Sequence, residues 1–436
     1  MGSDLVPRNY PHANYPFRQN SHFLYYTGHA LPGAALLIDP DGTETLYVPE
    51  VNLGDIVWTG PLPSPAEIAR EAGIAHGKPV AELGEAVRQL DQQRVPIHFL
   101  EPFDAGMRNR LSEFLGLRPE GLAVRASLPL IEAVIHQRLH KGPEEIAEIE
   151  EALLVTASMH RAVMSVAAPG VSEEVLAGTV HSIGLVSGRQ QAYIPIVTVH
   201  GEVLHNNGYP HTLQAGQLLL NDSAAESPRF YASDITRTIP VTGKFSSEQR
   251  AIYETVLRAQ EAAIATIRPG IPYRDIHLKA ARIMVDGLKE IGLMRGDTDA
   301  AVAAGTHACF FPHGLGHMLG LDVHDLEDLG EDRVGYAPGQ TRSQQFGLAY
   351  LRLARPLEES HVLTVEPGIY FIPALIDQWS SAGTNKEFIN FDKLDAWKSF
   401  GGIRIEDDVL VTKDGGQVLG PGIPKSVAMV EAVMAK

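Results

Sequence analysis

The sequence contains a single cysteine, Cys309, among 436 residues. One cysteine cannot form a disulfide within the chain, and it cannot build a zinc site from several thiolates. Any metal ion bound by this protein must therefore be held by carboxylate and imidazole side chains.

Long apolar runs and an excess of basic residues are also missing. No apolar stretch of the sequence approaches the length that crosses a bilayer. The first residues, MGSDLVPRNYPHANYPF, lack the apolar segment typical of a signal peptide. The formal net charge is −17, which argues against a nucleic-acid partner because a phosphate backbone requires a basic surface. We therefore expect a cytoplasmic protein that binds neither membranes nor nucleic acids.

Strand and helix patterns cover most of the chain. Residues 33–50 predict a β-hairpin, since two apolar stretches flank the turn sequence DPDG. Further strands are predicted at 217–224, 230–243, 361–371 and 400–412, and helices at 246–270 and about 273–292. Ser246 and Gln249 have the spacing of a capping box. The pattern predicts an α/β (α+β) protein in which helices pack on a mixed sheet.

A domain boundary is expected just before a long helix within residues 140–170. Pro143 suits the first helical position, and Glu144 and Glu145 suit the positive end of the helix dipole. Pro169 and Gly170 end the pattern. We predict an N-terminal domain at 1–139 and a second domain at 140–436.

Four predicted strand segments each carry a carboxylate in apolar company. These residues are Asp222, Asp234, Glu366 and Glu406. Buried carboxylates must be paired or must bind a metal ion. The segment PHGLGHMLGLDVHD, residues 312–325, adds three histidines and two aspartates among glycines. Its LGLDVHD part is predicted to be extended.

Each residue taken alone has an ordinary explanation. An aspartate at a strand end often caps a turn, Glu406 has Arg404 as a nearby partner, and His317 alone would be a loop histidine. Taken together, the four carboxylates and the histidine cluster form a ligand set for two divalent ions. Carboxylates with one imidazole suit Mn²⁺, Co²⁺ or Zn²⁺. Two such ions about 3.5–4 Å apart can deprotonate a water molecule and present it as a nucleophile.

The motifs PHGLGHMLGLDVHD, TVEPGIYF, YASDITRT and GGIRIEDDVLVT occur in this order. Together they resemble the metallopeptidases with the pita-bread fold (M24B type), a family that includes methionine aminopeptidase, aminopeptidase P, prolidase and creatinase. The resemblance covers about residues 140–420 and implies a pita-bread catalytic domain. Residues 16–39 are similar to the creatinase-like N-terminal domain of aminopeptidase P and the longer prolidases. Homodimers are common among such relatives, so a homodimer is expected.

The resemblance implies five metal ligands. Asp222 would bind one ion through both oxygens. Asp234 and Glu406 would bridge the two ions, and His317 and Glu366 would complete the shell of the second ion. Mn²⁺ is the first choice, with Zn²⁺ or Co²⁺ as alternatives, and a hydroxide bridging the two ions would be the nucleophile.

The resemblance also implies a set of catalytic and substrate-binding residues. His324 would stabilise the oxyanion, and His205 and His313 would line the substrate pocket. Glu366 would carry a proton to the leaving nitrogen, and Arg404 would orient Glu406. Glycines 314 and 316 would let the backbone pass close to the metal centre.

The expected activity is hydrolysis of the bond before proline. Segments around Glu366 and Glu406 look like those of prolidases, in which the arginine matching Arg352 binds the dipeptide's terminal carboxylate. An exposed strand-edge charge is the alternative for Arg352. Xaa-Pro dipeptides are therefore the expected substrates, with aminopeptidase P activity on longer peptides as the alternative.

Two other classes stay open, and one motif departs from the family. A non-catalytic pita-bread binding protein and a creatinase-like hydrolase without metal would not need all five ligands. The family usually has D-x-G-x-E after the first ligand, whereas this chain has DSAAE with Ala224. The turn between Asp222 and Asp234 is also one residue longer than usual, which bears on the geometry of the first ion.

Overall fold

The computed structural model describes residues 1–206 and 208–435. It contains two compact units, Met1–Val134 and Ile135–Lys436. The predicted domains at 1–139 and 140–436 stay a prediction. Among the described residues, no helix combines the length and the apolar character needed to cross a membrane.

The first unit contains a two-stranded sheet, a small mixed sheet and several helices. The two-stranded sheet is formed by β1 (Pro7–Tyr10) and β2 (Ala13–Asn14), and the mixed sheet by β3 (Ala35–Ile38), β4 (Glu44–Val48) and β5 (His76–Pro79). Its helices are α1 (Ser21–Thr27), α2 (Leu53–Thr59), α3 (Pro65–Glu71), α4 (Leu83–Gln92), α5 (Ala105–Leu115) and α6 (Leu122–Arg125), with 3-10 turns at Val80–Glu82 and Pro119–Gly121. The predicted hairpin is confirmed, because β3 and β4 pair antiparallel. β5 joins β4 in parallel, and the apolar core of this sheet includes Phe23, Leu46, Val48 and Ile68.

Helix α7 (Leu128–Leu139) contains the division between the units, and the second unit is built on short antiparallel ladders. Its strands are β6 (Ile196–Thr198), β7 (Leu218–Asp222), β8 (Thr236–Pro240), β9 (Val362–Val365), β10 (Gly368–Tyr370), β11 (Gly402–Arg404), β12 (Asp407–Thr412) and β13 (Gly415–Val418). They form the orders β6-β7-β8, β13-β12-β9 and β10-β11. The mixed pairing expected for the whole chain is thus found in the first unit, while the described strand pairs of the second are antiparallel.

Helices surround these ladders. They are α8 (Pro143–Val166), α9 (Glu173–Val186), α10 (Ser247–Ile264), α11 (Tyr273–Glu290), α12 (Thr298–Ala303), α13 (Glu331–Gly335), α14 (Pro373–Ala382), α15 (Phe391–Leu394) and α16 (Val427–Met434), with 3-10 turns at Thr306–Cys309, Glu327–Leu329, Leu348–Tyr350 and Asp395–Trp397. The predicted cap of α10 is confirmed, since Ser246 Oγ accepts from the Gln249 N–H at 3.1 Å and the Gln249 side chain accepts from the Ser246 N–H at 3.0 Å.

Helix α10 packs closely on α11. A Cβ atom on Gly287 of α11 would lie 2.3 Å from Thr255 Cγ2 of α10. A side chain at this position would push the helices apart, so glycine is required for the observed approach.

One predicted extended segment is wrong. Residues 320–324 form successive bends and residue 325 begins a turn, so the segment is not a strand. The backbone reverses because Gly320 N–H donates to Asp322 O and Asp325 N–H donates to Met318 O. The Asp325 side chain is then held by Lys141 Nζ at 2.8 Å and Arg138 Nη2 at 2.7 Å. These buried ion pairs stabilise a local reversal that the alternating apolar pattern alone does not indicate.

Candidate metal centre

Two strand interruptions place glutamates at the middle of the second unit. β9 ends before Glu366 and β10 begins after Pro367. Proline has no N–H to donate to a ladder, which favours a break at this point. On the partner strands, Glu406 lies between β11 and β12. Because β9 pairs with β12 and β10 with β11, the two glutamates leave the ladders at the same level.

The two predicted aspartates come from the neighbouring hairpin. Asp222 is the last residue of β7, whereas Asp234 lies two residues before β8 rather than within it. The Tyr193 hydroxyl oxygen lies 2.5 Å from Asp222 Oδ1 and 2.7 Å from Asp234 Oδ1. Ala224 is fully buried in the connecting loop. The two carboxylates therefore converge even though alanine occupies the usual glycine position.

His317 brings an imidazole into this group. Its Nδ1–H donates to the Met318 carbonyl at 3.0 Å, which leaves Nε2 facing the carboxylates. Nε2 lies 3.4 Å from Asp234 Oδ2 and 3.7 Å from Glu366 Oε1. Ligand atoms of Asp234, His317 and Glu406 all lie within 4.8 Å of one another. The structure thus brings the predicted ligands together.

Gly316 allows this approach. A Cβ atom on Gly316 would lie 2.1 Å from the carbonyl oxygen of Thr364, which belongs to β9. The next residue, His317, then donates its backbone N–H to Thr364 Oγ1 at 3.1 Å. A Cβ atom on Gly314 would be less restricted, at 3.3 Å from Leu351 Cα. Of the two predicted glycines, Gly316 is the one that close contact requires.

Arg404 holds the carboxylates through a different route from the predicted one. Its Nη2 donates to Asp222 Oδ2 at 2.5 Å, and its Nε donates to Thr236 Oγ1 at 3.0 Å. The Thr236 hydroxyl in turn donates to Glu406 Oε2 at 2.6 Å. Arg404 therefore contacts Asp222 directly and is linked to Glu406 through Thr236.

Burial and mutual repulsion keep protons on several of these carboxyl groups. Burial raises the pKa of Asp222 to about 6, with Arg404 opposing the shift, and raises the pKa of Glu366 to about 7. Burial and the charge of Asp234 raise the pKa of Glu406 well above its ordinary value. Fully ionised, the group would therefore carry more negative charge than the surrounding protein neutralises.

The donor set fits divalent cations. Burial lowers the pKa of His317, but the hydrogen bond to Asp234 and the charge of Glu366 outweigh it and raise this pKa to about 9. The imidazolium thus supplies positive charge where the four carboxylates demand it. Nearby, Asp408 accepts from the Asp234 N–H at 3.0 Å, while its other carboxyl oxygen is buried without a described partner. Two dications would neutralise this group, and its oxygen and imidazole donors suit Mn²⁺, Co²⁺ or Zn²⁺.

His313 is fixed beside the centre. Its Nδ1–H donates to the Gly314 carbonyl at 2.7 Å, and Nε2 accepts from the Tyr370 hydroxyl at 2.8 Å. Tyr370 also accepts from Arg404 Nη1 at 3.0 Å. Burial and the Arg404 charge lower the pKa of His313 to about 3, so this ring is neutral.

His324 stacks on His317. Their ring centroids lie 3.8 Å apart and their planes differ by 13°. The His324 Nδ1–H donates to Glu327 Oε1 at 3.3 Å, and Arg352 Nη1 donates to Glu327 Oε2 at 2.5 Å and to Glu331 Oε2 at 3.1 Å. Burial and the charge of His317 lower the pKa of His324 to about 4. Arg352 follows a 3-10 turn and is linked to His324 through Glu327, so it is not on a strand edge.

His205 lies near the same positive charges. Burial, followed by the charges of Arg404 and Arg352, lowers its pKa. The charge of His205 in turn contributes to the lowered pKa of His313. These four residues therefore share one electrostatic environment beside the carboxylates.

Sequence reasoning missed Tyr193, Thr236 as a link, Tyr370 and Asp408. The alternation of strand residues offered a signal for two of them, because Asp408 shares a face with Glu406 and Thr236 shares one with Asp234. Tyr193 gave no such signal, since it lies 29 residues from Asp222 and outside the described strands.

Known proteins are similar to this chain in both sequence and fold. The model of metallopeptidase family M24 matches residues 147–413, and the model of the aminopeptidase P N-terminal domain matches residues 1–98. A probable Xaa-Pro aminopeptidase of Fusarium vanettenii is 34% identical over 96% of this chain and 88% of its own length. The Xaa-Pro dipeptidase of Homo sapiens is 34% identical over 96% of this chain and 84% of its own length.

Solved structures agree with these matches. Proline aminopeptidase P II from Yersinia pestis is 31% identical, with a TM-score of 0.81 over 100% of this chain and 94% of that chain. Aminopeptidase PepP of Pseudomonas aeruginosa is 29% identical, with a TM-score of 0.80 over 100% of this chain and 92% of that chain. A zinc-substituted Escherichia coli aminopeptidase P in complex with product is 30% identical, with a TM-score of 0.80 over 99% of this chain and 92% of that chain.

Proposed function

Since this chain belongs to metallopeptidase family M24, we propose that it is a dinuclear metal-dependent exopeptidase that hydrolyses the peptide bond before proline. The observation that carries the proposal is the group of four carboxylates around His317, of which Asp222, Asp234 and Glu406 are buried and only Asp222 is paired directly with Arg404. Relatives named Xaa-Pro dipeptidase and Xaa-Pro aminopeptidase support the proline specificity.

We assign the ligands as the resemblance implies. Asp222 would hold the first ion, Asp234 and Glu406 would each contact both ions, and His317 and Glu366 would hold the second. The convergence of these side chains supports the assignment. Two bound ions would polarise the scissile carbonyl and lower the pKa of a water molecule. Mn²⁺ is the proposed native ion, with Zn²⁺ and Co²⁺ as alternatives.

The neighbouring side chains prepare the centre for this chemistry. Arg404 and Thr236 fix the orientation of Asp222 and Glu406 through direct hydrogen bonds. Glu366 is proposed to pass a proton to the leaving proline nitrogen, as the resemblance implies. That delivery matters because a proline amine must leave from a tertiary amide, which has no N–H of its own.

His324 is proposed to stabilise the oxyanion of the tetrahedral intermediate. Its Nδ1–H is already donated to Glu327. The ring therefore donates from Nε2 only as the imidazolium, a form that the Glu327 carboxylate favours but that burial and the charge of His317 oppose, with a net pKa of about 4 in the protein without substrate. Developing negative charge on the substrate oxygen would favour the same form.

Xaa-Pro dipeptides are the proposed substrates. Arg352 lies with His205, His313 and His324 in one electrostatic environment, and its guanidinium is 37% exposed. A guanidinium can pair with both oxygens of the free proline carboxylate. His205 and His313 would line the rest of the pocket.

Aminopeptidase P activity on longer peptides is the second candidate. It is favoured by the pairing of Arg352 Nη1 with both Glu327 and Glu331, which already offsets much of its charge. The solved structures named above are of aminopeptidases P as well. A homodimer and a cytoplasmic location complete the proposal, the first on the family resemblance and the second on the sequence alone.

The test compares turnover of an Xaa-Pro dipeptide with that of an Xaa-Pro-Xaa tripeptide, with and without added Mn²⁺. We expect metal-dependent cleavage of both, with a higher kcat/KM for the dipeptide. A higher kcat/KM for tripeptides would move the assignment to aminopeptidase P. Equal cleavage after complete metal removal would overturn the metallopeptidase mechanism.

A further inference from the structure

A separate histidine cluster lies at the other end of β9. His140, Glu358 and His361 each offer a ligand atom, and these three atoms lie within 4.8 Å of one another. We propose that they form a second metal site, specific for a divalent ion of the zinc class. This proposal is independent of the function assigned to the carboxylate centre.

His140 is oriented as a metal-binding histidine. Its Nδ1 lies 2.8 Å from the carbonyl oxygen of His136. A carbonyl oxygen only accepts, so Nδ1 carries the proton and the neutral ring has its lone pair on Nε2. Donation of the second ring nitrogen to a backbone carbonyl is the usual support for a histidine ligand.

The lone pair of His140 faces a carboxylate. His140 Nε2 lies 3.3 Å from Glu358 Oε2. Two acceptors at this distance repel each other unless a proton or a metal ion lies between them. Ligand atoms at about 2.0–2.1 Å from a tetrahedral zinc ion are themselves about 3.3 Å apart. The separation of His140 and Glu358 therefore already suits a shared ion.

His361 distinguishes a metal site from a simple ion pair. A protonated His140 paired with Glu358 would explain the first contact but leaves His361 without a role. His361 is fully buried, and its Nε2 has no hydrogen-bond partner among the described residues. Its ring centroid lies 5.1 Å from that of His140. An ion bound by both rings and Glu358 would satisfy this buried nitrogen.

Binding through His361 Nε2 requires a change of tautomer. At present His361 Nδ1 accepts from the Glu358 backbone N–H at 3.2 Å. A metal on Nε2 would move the ring proton to Nδ1 and give up this one long hydrogen bond. The neighbouring backbone contacts, from His361 N–H to Glu358 O and from Lys141 N–H to Ser360 O, do not involve the ring and would remain.

The ligand types select the ion. Two imidazoles and one carboxylate favour Zn²⁺, Co²⁺ or Ni²⁺ over Mn²⁺, whereas the carboxylate centre tolerates Mn²⁺. The side chains of His140 and Glu358 are 31% and 47% exposed, so an ion can enter from solvent and water can complete the coordination. Occupation would join residue 140 to the start of β9, the strand that ends just before Glu366.

The experiment counts bound metal in the full-length protein. Wild type, His140→Ala and Glu358→Gln are loaded with Mn²⁺, dialysed against limiting free Zn²⁺ and analysed for metal content. His181→Ala is the matched control, because His181 is an exposed histidine on α9 away from the cluster in sequence. The carboxylate ligands are intact in all four proteins, so differences in metal content report on the cluster.

We expect one more bound equivalent of Zn²⁺ in wild type and His181→Ala than in His140→Ala, with weakened binding in Glu358→Gln. Zn²⁺ should also raise the Tm of the Mn²⁺-loaded wild type by several degrees more than that of His140→Ala, because a ligand that binds only the folded state stabilises it. Xaa-Pro turnover with Mn²⁺ should be the same in His140→Ala and wild type. Equal Zn²⁺ content in wild type and His140→Ala would overturn the site and leave an ordinary His140–Glu358 ion pair.

Discussion

Glu406, Asp407 and Asp408 are three consecutive carboxylates in opposite environments. Alternation along β12 turns Asp407 away from the face of its two neighbours. Asp407 is paired with Arg237 Nη2 and Lys425 Nζ, each at 2.6 Å, and accepts from Gln260 Nε2 at 2.7 Å. Burial opposes its ionisation, yet Arg237 and Lys425 lower its pKa to about 2.

The carboxyl groups on the other face have no such supply of cations. Burial and neighbouring carboxylates raise the pKa of both Glu406 and Asp408 well above their ordinary values. The difference teaches how to read a buried acid: where the protein supplies the cation, the acid is ionised in a buried ion pair, and where it does not, the acid is a candidate ligand for a cation from solution.

The largest effect on metal content and turnover is expected from Glu406→Gln, which removes one negative charge from the face that carries Glu406 and Asp408. Loss of one carboxylate charge lowers the affinity for two dications, so metal content and turnover should fall together. The loss should exceed the roughly 10–100-fold typical of residues that only support a ligand. Metal analysis and kcat/KM on an Xaa-Pro substrate measure it. A Glu406→Gln protein with two ions and full activity would refute the ligand assignment, and Asp234→Asn should behave in the same way.

Asp407→Asn is the corresponding variant on the opposite face, where the protein itself supplies the cations Arg237 and Lys425. It leaves Arg237 and Lys425 buried or half-buried without their carboxylate, which costs about 3–5 kcal/mol in the free energy of unfolding. Urea unfolding of the two proteins measures the loss. The metal content of the folded variant should stay at the wild-type level; if ions are lost while stability is kept, the two faces are not distinct.

His324→Ala separates transition-state stabilisation from metal binding. The ring stacks on His317 but is not among the proposed ligands. Loss of an oxyanion donor lowers kcat on the order of 10²–10³-fold. Steady-state kinetics and metal analysis of the same preparation measure both properties. Retained metal with lost turnover is expected, and a collapse in metal content would make His324 a ligand instead.

Arg352→Ala tests whether Arg352 binds substrate. Unlike Arg237, which is buried against Asp407, Arg352 is 37% exposed beside Glu327 and Glu331. If Arg352 receives the free carboxylate of proline, its loss removes charged hydrogen bonds that contribute roughly 1.5–3 kcal/mol to the binding free energy. KM for an Xaa-Pro dipeptide should therefore rise by the corresponding factor. Tripeptide hydrolysis serves as the internal control and should change far less. Equal changes for both substrates would return Arg352 to a role in holding Glu327 and Glu331.

The smallest effect concerns pH and the metal-free protein. Asp222 and Glu366 have pKa values of about 6 and about 7, above the values of about 4 found in unfolded chains. At these two groups the folded protein therefore holds more protons than the unfolded chain between about pH 4 and pH 7, and they make it less stable as pH rises through that window, whereas buried His313 and His324, with pKa values of about 3 and about 4, act in the opposite sense up to about pH 6.5. Asp407 acts in the opposite sense, and its contribution is complete above about pH 4.

Thermal unfolding with and without metal isolates the contribution of the ligand carboxyl groups. We expect the rise in Tm on adding Mn²⁺ to grow from about pH 5 to about pH 8, because ligands must lose protons to bind. An equal rise at both pH values would show that Asp222 and Glu366 are already ionised in the metal-free protein.

Local physics made much of the fold predictable. The turn DPDG, the capping residues Ser246 and Gln249, and the start of α8 at Pro143 each act within a few residues. The bends at 319–325 were not predictable, because the side chain that holds them, Asp325, is paired with Arg138 and Lys141, 187 and 184 residues away.

The residues of the candidate site were predictable from their neighbours in the sequence, whereas the contacts between them were not. The carboxylates stood out because apolar neighbours surround each of them in the sequence. The route from Arg404 through Thr236 to Glu406 depends on residues that are 168 and 170 positions apart. The interruption of the strands at Glu366 and Glu406 likewise follows from the pairing of distant segments, which periodicity does not encode.

Tyr193 bears on how fast metal ions would bind rather than on how tightly. Its single hydroxyl lies within hydrogen-bond distance of Asp222 and Asp234 at once, so the phenol oxygen stands between two of the proposed ligands. If these carboxylates bind ions as proposed, an ion that contacts both Oδ1 atoms would displace this hydroxyl from them. Loading would then require a movement of the partly buried Tyr193 side chain, and that movement would set an upper limit on how fast the ions enter.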